Sequence, residues 1–165
     1  MAYNSRMRRR LALSLIAVLF AAGCGSRDVQ KDLRIVDVHS GWYDAGIQED
    51  GKNKLVSSIS IRLENVSQDP ISGVQLNAIF HRAGETEVWG EHFVRAVGSE
   101  ELAGAATTKP LVLRSNLGYT GTQSRLQMLN NREFVDATVE IFGKHGSKTW
   151  ASMGSYKIDR QLLTE

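Results

Sequence analysis

Cysteine is nearly absent from this chain of 165 residues, because Cys24 is the only one. A single cysteine excludes any disulfide bond within the chain, although disulfides often support small domains. From Cys24 to Glu165 there are 142 residues, which is close to the usual size of one domain and enough to bury an apolar core. We therefore expect side-chain packing alone to stabilise the fold.

The motifs that usually carry catalysis are also missing. The sequence contains no Gly-x-Ser-x-Gly elbow, and none of its glycines has the spacing of a phosphate-binding loop. We therefore predict no catalytic residue and no cofactor, and hence a protein that is not an enzyme. A hydrolase whose triad is assembled only by the fold is the least favoured hypothesis, because spatial triads leave no sequence pattern.

Metal ligands at a typical spacing are missing as well. The four histidines are scattered along the chain: His39, His81, His92 and His145. Asp37 and His39 lie two residues apart and would share one face of a strand. A zinc site usually needs three or four ligands, and no second cluster supports this pair. We therefore predict no metal site.

The first 23 residues have the composition of a secretory signal. Four arginines (Arg6 and Arg8 to Arg10) precede an uncharged run over residues 11–22. A basic stretch, a short apolar core and small residues before a cleavage point are typical of such signals. The run has 12 residues, whereas a membrane-spanning helix needs about 20, so an uncleaved anchor is the weaker hypothesis.

The residues Ala21-Ala22-Gly23-Cys24 resemble the lipobox of bacterial lipoproteins. The resemblance implies cleavage between Gly23 and Cys24, a covalent lipid on Cys24 and attachment of the protein to a membrane of the cell envelope. Because Gly25 and not aspartate follows, the resemblance implies the periplasmic face of the outer membrane if the cell is Gram-negative. A secreted protein without lipid is the alternative, since ordinary signals also end in small residues.

The charge of the mature part argues against nucleic acid as a partner. All 18 acidic residues follow Cys24, whereas four of the 20 basic residues precede it, which leaves 16 basic against 18 acidic residues. The remaining lysines and arginines form no cluster along the sequence, so neither a nucleic-acid footprint nor a polybasic membrane segment is predicted.

Period-two alternation predicts a mostly β domain over residues 33–165, tethered to Cys24 by the polar segment 24–32. The clearest strands are residues 55–66 and 74–80, which we expect to pair antiparallel with each other. Less regular strands are expected at 33–39, 87–94, 110–114, 134–142 and 149–158, with a helical excursion at 123–131. Short strands separated by turn residues predict an all-β sandwich of about seven antiparallel strands.

Residues 55–113 resemble the immunoglobulin-like modules of bacterial envelope proteins, including the FxLYD-type family. The resemblance rests on Ile61-Arg-Leu-Glu-Asn65-x-Ser67, on Ile71-Ser-Gly-Val74 leading into the next strand, and on Leu102-Ala-Gly104 with residues 107–113. It implies an immunoglobulin-like sandwich and transfers no functional residue. Asn65-Val-Ser67 also fits a glycosylation sequon, but we interpret it as a turn motif.

Two groups of residues are candidates for binding. The first is the segment 117–132, which is long for a connection in a compact β domain and carries Tyr119, Arg125 and Arg132. The second is the set of aromatic residues Trp42, Tyr43, Trp89, Tyr119, Trp150 and Tyr156. Within this set we expect the pair Trp42 and Tyr43 to be the most exposed, because it precedes an expected flexible loop at 44–53. The alternatives are structural: Leu126, Met128 and Leu129 would plug one end of the sandwich, and the aromatic residues would fill its core.

The expected partners follow from the anchor and from these residues. We predict a non-catalytic accessory module that contacts another envelope protein, for example by strand addition at a sheet edge. The alternative is a module for glycan or peptidoglycan, which would need at least two aromatic rings exposed in line.

Overall fold

Two four-stranded β-sheets packed face to face form the part of the chain that the structure describes. The computed structural model describes residues 27–163, so the predicted signal and the Gly23–Cys24 junction lie outside the described residues. In chain order the elements are α1 (Val29–Asp32), β1 (Leu33–Ile47), β2 (Asn53–Asn65), β3 (Val74–Arg82), β4 (Val88–Val97), β5 (Leu111–Gly121), α2 (Arg125–Asn130), β6 (Ala137–His145), β7 (Ala151–Lys157) and β8 (Leu162–Leu163).

The order of the strands is that of an immunoglobulin-like sandwich. One sheet has the order β5-β2-β1-β8 and the other has the order β4-β3-β6-β7. Strands β1, β2 and β5 occupy the places of strands A, B and E, while β3, β4, β6 and β7 occupy those of C, C′, F and G. The predicted all-β, immunoglobulin-like sandwich is thus confirmed. β8 is an eighth strand, and it pairs parallel to β1 at Trp42 and Tyr43.

The core lies between the sheets and follows the predicted alternation. In β2, Ile59, Ile61 and Leu63 are completely buried, as expected for one face of a half-buried strand. The largest fully buried side chains are Trp42, Phe80, Leu55, Ile59, Ile61, Leu63, Ile71, Leu76, Leu113, Ile141, Ile158 and Val74. The opposite face of β2 is partly covered too, since Val56 and Ser58 are buried.

The expected pairing of β2 with β3 is wrong. β2 pairs with β1 and β5, whereas β3 pairs with β4 and β6 in the other sheet. The connection 66–73 therefore crosses from one sheet to the other. Alternation predicts that a strand is half buried, but it does not say which neighbour the strand pairs with.

β1 is longer than predicted. It continues to Ile47 and forms a hairpin with β2, so the flexible loop expected at 44–53 is reduced to the turn 48–52. The tight turn between them is closed by hydrogen bonds between the backbone of Gln48 and the backbones of Gly51 and Lys52. Trp42 and Tyr43 are consequently strand residues. α2, in contrast, lies inside the predicted helical excursion and is capped by Ser124, the residue before its first turn.

Residues 27–32 do not form the free tether that was expected. Asp28 caps α1, Val29 is buried, and Gln30 donates a hydrogen bond from Nε2 to the Ser152 carbonyl at 2.8 Å. Arg27 pairs with Asp69 at 3.3 Å. These contacts attach the segment to the domain. The buried Val29 and the N-cap Asp28 hold it in place although its composition is polar.

Asn65 joins two loops at the end of the sandwich where α1 lies. Its side chain is completely buried, and Nδ2 donates to the carbonyls of Asp69, Leu102 and Ala103 at 2.9 to 3.1 Å. Its Oδ1 accepts hydrogen bonds from the backbone and the hydroxyl of Ser67. The interpretation of Asn65-Val-Ser67 as a turn motif is therefore confirmed.

Side-chain hydrogen bonds link the two sheets along both of their sides. On one side, His92 Nδ1 of β4 lies 3.0 Å from the Arg114 carbonyl and 3.3 Å from the Arg114 amide of β5. A Cβ on Gly90 would clash with Ser115, so glycine permits this close approach. On the other side, Ser40 Oγ of β1 accepts from the Asp159 amide, beyond the end of β7.

The first prediction tests the register of β2. Ile61→Asp places an unpaired charge in the core and should lower the free energy of unfolding by more than about 4 kcal/mol. Val112→Asp is the matched control, because Val112 is 44% exposed on β5, and it should change stability by less than about 1 kcal/mol. Urea unfolding followed by circular dichroism measures both. Similar midpoints would mean that the register is shifted by one residue.

The second prediction concerns the buried amide of Asn65. Asn65→Ala leaves several buried groups without a partner and should lower the free energy of unfolding by about 2 to 3 kcal/mol. The control is Asn130→Ala, since Asn130 is exposed at the end of α2. If the two variants unfold at the same urea concentration, the hydrogen bonds of Asn65 do not stabilise the loops.

Candidate functional site

All five predicted binding residues lie in the half of the sandwich that ends at α2. This end, called here the α2 end, consists of the turn 48–52, the turn 83–87, the segment 122–136 and the chain after β7. The opposite α1 end holds residues 27–32, the loops 66–73 and 98–110, and the turn 146–150. β5 extends to Gly121, so the first part of the predicted loop 117–132 is strand.

Four aromatic rings form a cluster at the α2 end. The Trp42 ring centroid lies 4.6 Å from that of Phe134, 5.7 Å from that of Tyr119 and 6.0 Å from that of Trp89. Trp42 is completely buried. Trp42 therefore fills the core, which is the structural alternative to a binding role. Its side chain lies on the inward face of β1, between the two sheets.

Tyr119 connects this cluster to the chain after α2. Its hydroxyl lies 3.2 Å from both the amide and the carbonyl of Val135, and the Arg82 guanidinium lies 5.8 Å from its ring centroid. The ring is half buried between Trp89 and Phe134. Tyr119 is therefore a positioning residue that holds the segment 131–136 against β5.

The predicted arginines have different environments. Arg125 Nε forms an ion pair with Asp44 at 2.8 Å, which attaches α2 to β1. Arg132 is exposed and pairs only loosely with its neighbour Glu133 at 3.2 Å. Of the two, Arg132 is the one that can contact a partner without breaking a contact between elements.

Tyr43 lies apart from the ring cluster on the outer side of β1. The Arg114 guanidinium stacks 3.6 Å from its ring centroid, and its side chain is half buried. Trp42, Tyr43 and Tyr119, on which the glycan-binding alternative depends, therefore do not form two exposed rings in line.

An open cavity of about 110 Å³ lies beside the cluster. Its apolar wall consists of Tyr119, Met128 and Phe134, and its polar wall includes Gln123, Asn131 and Glu133. Met128 and Leu129 of α2 are buried, as the plug hypothesis requires, whereas Leu126 is 61% exposed. Ile47 is also exposed at this end, opposite Asn53, which donates to the Gln123 carbonyl.

Sequence reasoning missed the cations that cover the aromatic cluster. Arg82 lies 5.4 Å from the Trp89 centroid and Arg160 lies 5.2 Å from the Phe134 centroid. Arg160 also pairs with Asp136 at 2.8 Å. No periodicity could have predicted this arrangement, because the residues come from β3, β4 and the segments flanking β6 and β7.

Two titratable groups of the described chain have a shifted pKa, and neither of them lies in the cavity. Hydrogen bonds from the side chain and backbone of Lys52 lower the pKa of Asp50 in the turn between β1 and β2. Burial raises the pKa of the Tyr156 phenol on β7. Both shifts have local causes.

Asp37 and His39 lie at a bulge of β1. Asp37 has a φ of +51° and forms a 3.7 Å ion pair with Arg62, and the pairing with β2 shifts between Val36 and His39. Within residues 27–163, no three His, Cys, Asp or Glu side chains come together as a group that could hold a metal ion.

Comparisons with protein-family models and with curated proteins found no match for this chain. No helix within the described part of the chain is long and apolar enough to cross a membrane.

The third prediction separates the ring of Tyr119 from its hydroxyl. Tyr119→Phe keeps the ring contacts and removes one hydrogen-bonding group, so the free energy of unfolding should fall by about 1 kcal/mol. Tyr119→Ala also removes the ring and should cost about 3 kcal/mol or more. Urea unfolding measures both values. Equal effects would mean that the ring packs too loosely to position the segment after α2.

Proposed function

We propose that this protein is a lipid-anchored, non-catalytic lipoprotein of the cell envelope that binds another envelope protein through its α2 end. The anchor rests on the signal-like N-terminus and on the lipobox resemblance at Cys24. The binding surface rests on the geometry of the α2 end. The two parts can be tested separately.

The observation that carries the binding proposal is the cavity beside Tyr119 and its surroundings. Small-molecule sites usually enclose about 300 to 1,000 Å³, whereas this cavity has about 110 Å³. That volume suits a single apolar side chain of a protein partner. The exposed Leu126 and Ile47 add apolar area at the same end, and polar groups lie around it, as in the interfaces of protein complexes.

The surface is held rigidly, which favours binding. The Ser124 capping box fixes the start of α2, the Arg125–Asp44 ion pair attaches the helix to β1, and the aromatic cluster forms its base. A preorganised surface loses less conformational entropy when a partner binds. Leu126 and Arg132 can thus contact a partner without a change in the fold.

The position of this end relative to the anchor also supports the proposal. Residue 27 is packed at the α1 end, so a lipid on Cys24 would be attached there. A strand rises about 3.3 Å per residue, and β2 has 13 residues, so the α2 end lies roughly 40 Å away along the strands. In this orientation it projects from the membrane into the compartment.

Strand addition is less favoured than binding at the α2 end. β4 and β5 are bridged to each other by His92, and Gln30 of α1 bonds to the β7 backbone. β8 has only two residues, and the bulge at Asp37 interrupts the part of β1 that β8 does not cover. Bulges of this kind hinder pairing at sheet edges.

The fourth prediction tests the partner surface by crosslinking in intact cells. A photoreactive amino acid at Leu126 or Arg132 should trap one dominant envelope protein, identified by mass spectrometry. The same amino acid at Val112, on the outer face of β5, is the matched control and should not trap that protein. Equal yields from all three positions, or recovery of glycan fragments alone, would contradict a protein-binding α2 end.

The anchor is tested in the same cells. Cys24→Ser should abolish incorporation of labelled fatty acid and should release the protein from the membrane fraction. Unchanged labelling would contradict the lipid anchor, whatever the crosslinking shows.

A further inference from the structure

A second exposed surface lies on the outer face of the β4-β3-β6-β7 sheet, in the half nearer the α1 end and away from the proposed partner site. Phe93 is 59% exposed and Trp150 is 40% exposed, and their ring centroids are 6.2 Å apart at an interplanar angle of 88°. Two large aromatic side chains that are exposed side by side are typical of a surface that contacts a membrane or another protein. Because the rings are perpendicular, one flat ligand such as a sugar ring cannot stack on both.

The register of the sheet places basic groups beside these rings. On the outer face of the β4-β3-β6-β7 sheet, Phe93 lies opposite Asn77, which is opposite Phe142. One row nearer the α1 end, Arg95 and Lys144 lie on either side of Gln75, about 10 Å apart across two strand spacings. Lys144 Nζ lies 4.7 Å from the Trp150 ring centroid. The fold thus brings together cations that are far apart in the sequence.

Acidic residues occupy the other side of the aromatic row. Glu91 and Glu140 lie opposite Ile79, one row nearer the α2 end. The face therefore changes from basic to aromatic to acidic along the strands. A negatively charged surface approached from the α1 end would meet the basic and aromatic rows first.

The chain that leads to Cys24 leaves the domain at the same corner. Lys148 Nζ donates to the Arg27 carbonyl at 2.9 Å, and Lys148 precedes Trp150 by two residues. Cys24 precedes Arg27 by three residues, which span at most about 11 Å. A lipid on Cys24 would therefore hold the Trp150 corner at the membrane surface.

We propose that Phe93, Trp150 and Lys144 rest in the interface of the bilayer that holds the Cys24 lipid. The proposal deepens the lipid-anchor proposal above and rests on it. Tryptophan favours the level of the lipid headgroups, where its ring is apolar and its N–H is solvated. Lys144 and Arg95 place their charges among the phosphates while their apolar stems cover hydrophobic surface. The domain then tilts toward the face of the β4-β3-β6-β7 sheet, while its α2 end still points away from the bilayer.

The fifth prediction uses the mature protein, purified from membranes and reconstituted in vesicles of phosphatidylethanolamine and phosphatidylglycerol. Vesicles with brominated acyl chains should quench tryptophan emission relative to unbrominated vesicles. Trp42 is buried and Trp89 is half buried at the α2 end, so Trp150→Phe should abolish the quenching. Phe93→Ser with Lys144→Glu should reduce it.

The control moves the reporter to the opposite face of the sandwich. Val112→Trp in the Trp150→Phe background carries an exposed tryptophan on the outer face of β5 and should not be quenched. Quenching at both positions would show that the domain has no preferred face toward the bilayer, and the proposal would be wrong.

The remaining outcomes separate this proposal from the anchor. If Cys24 carries lipid and the protein floats with the vesicles while Trp150 is not quenched, the patch does not contact the bilayer and the proposal is overturned in favour of a protein or second-copy contact. If mass spectrometry finds no lipid on Cys24, the anchor fails. The protein without lipid, mixed with the same vesicles, then still tests whether the patch contacts the bilayer. Quenching of Trp150 supports this contact, and no quenching overturns it.

Discussion

Contact between the inward faces of the two sheets is the interaction on which the rest of the structure depends. The only cysteine precedes the described domain, so no disulfide joins the sheets within it, and the fully buried side chains of β1, β2, β3, β5 and β6 must hold them together. Hydrogen bonds of His92 on one side and Ser40 on the other then fix how the sheets meet. The loops and both ends are attached to this frame.

The sequence predicted the strands better than it predicted their partners. Alternating apolar residues located β2, β3 and β6, and Met128 and Leu129 located the apolar side of α2. The pairing of β2 was not predictable, because the burial of Ile61 is the same against either neighbour. β1 was predicted too short, since Ser40 and Gly41 interrupt its apolar pattern. Residues 27–32 looked like a tether because their fixed position depends on contacts with distant loops.

The candidate surface was located only in part. Tyr119, Arg125 and Arg132 lie at the α2 end as a group, but Trp42 belongs to the core beneath them, and only the fold distinguishes a buried ring from an exposed one. Arg82 and Arg160 reach the cluster from distant parts of the sequence. Likewise Phe93 and Trp150 meet across the strands of one sheet, which no spacing along the chain indicates. If both proposals hold, the molecule has one surface that contacts the membrane and another that contacts a partner.

The bulge at Asp37 would have a further consequence if the protein is lipid-anchored as proposed, because anchored molecules are confined to a plane. Proteins that share one membrane surface collide far more often, and in fewer orientations, than proteins in free solution. Regular strand edges of neighbouring copies would then pair with each other and join the copies into continuous sheets. The left-handed backbone at Asp37 breaks the hydrogen-bonding repeat where β1 is otherwise unpaired. The bulge at Asp37 thus favours separate molecules when many copies are anchored close together on one membrane.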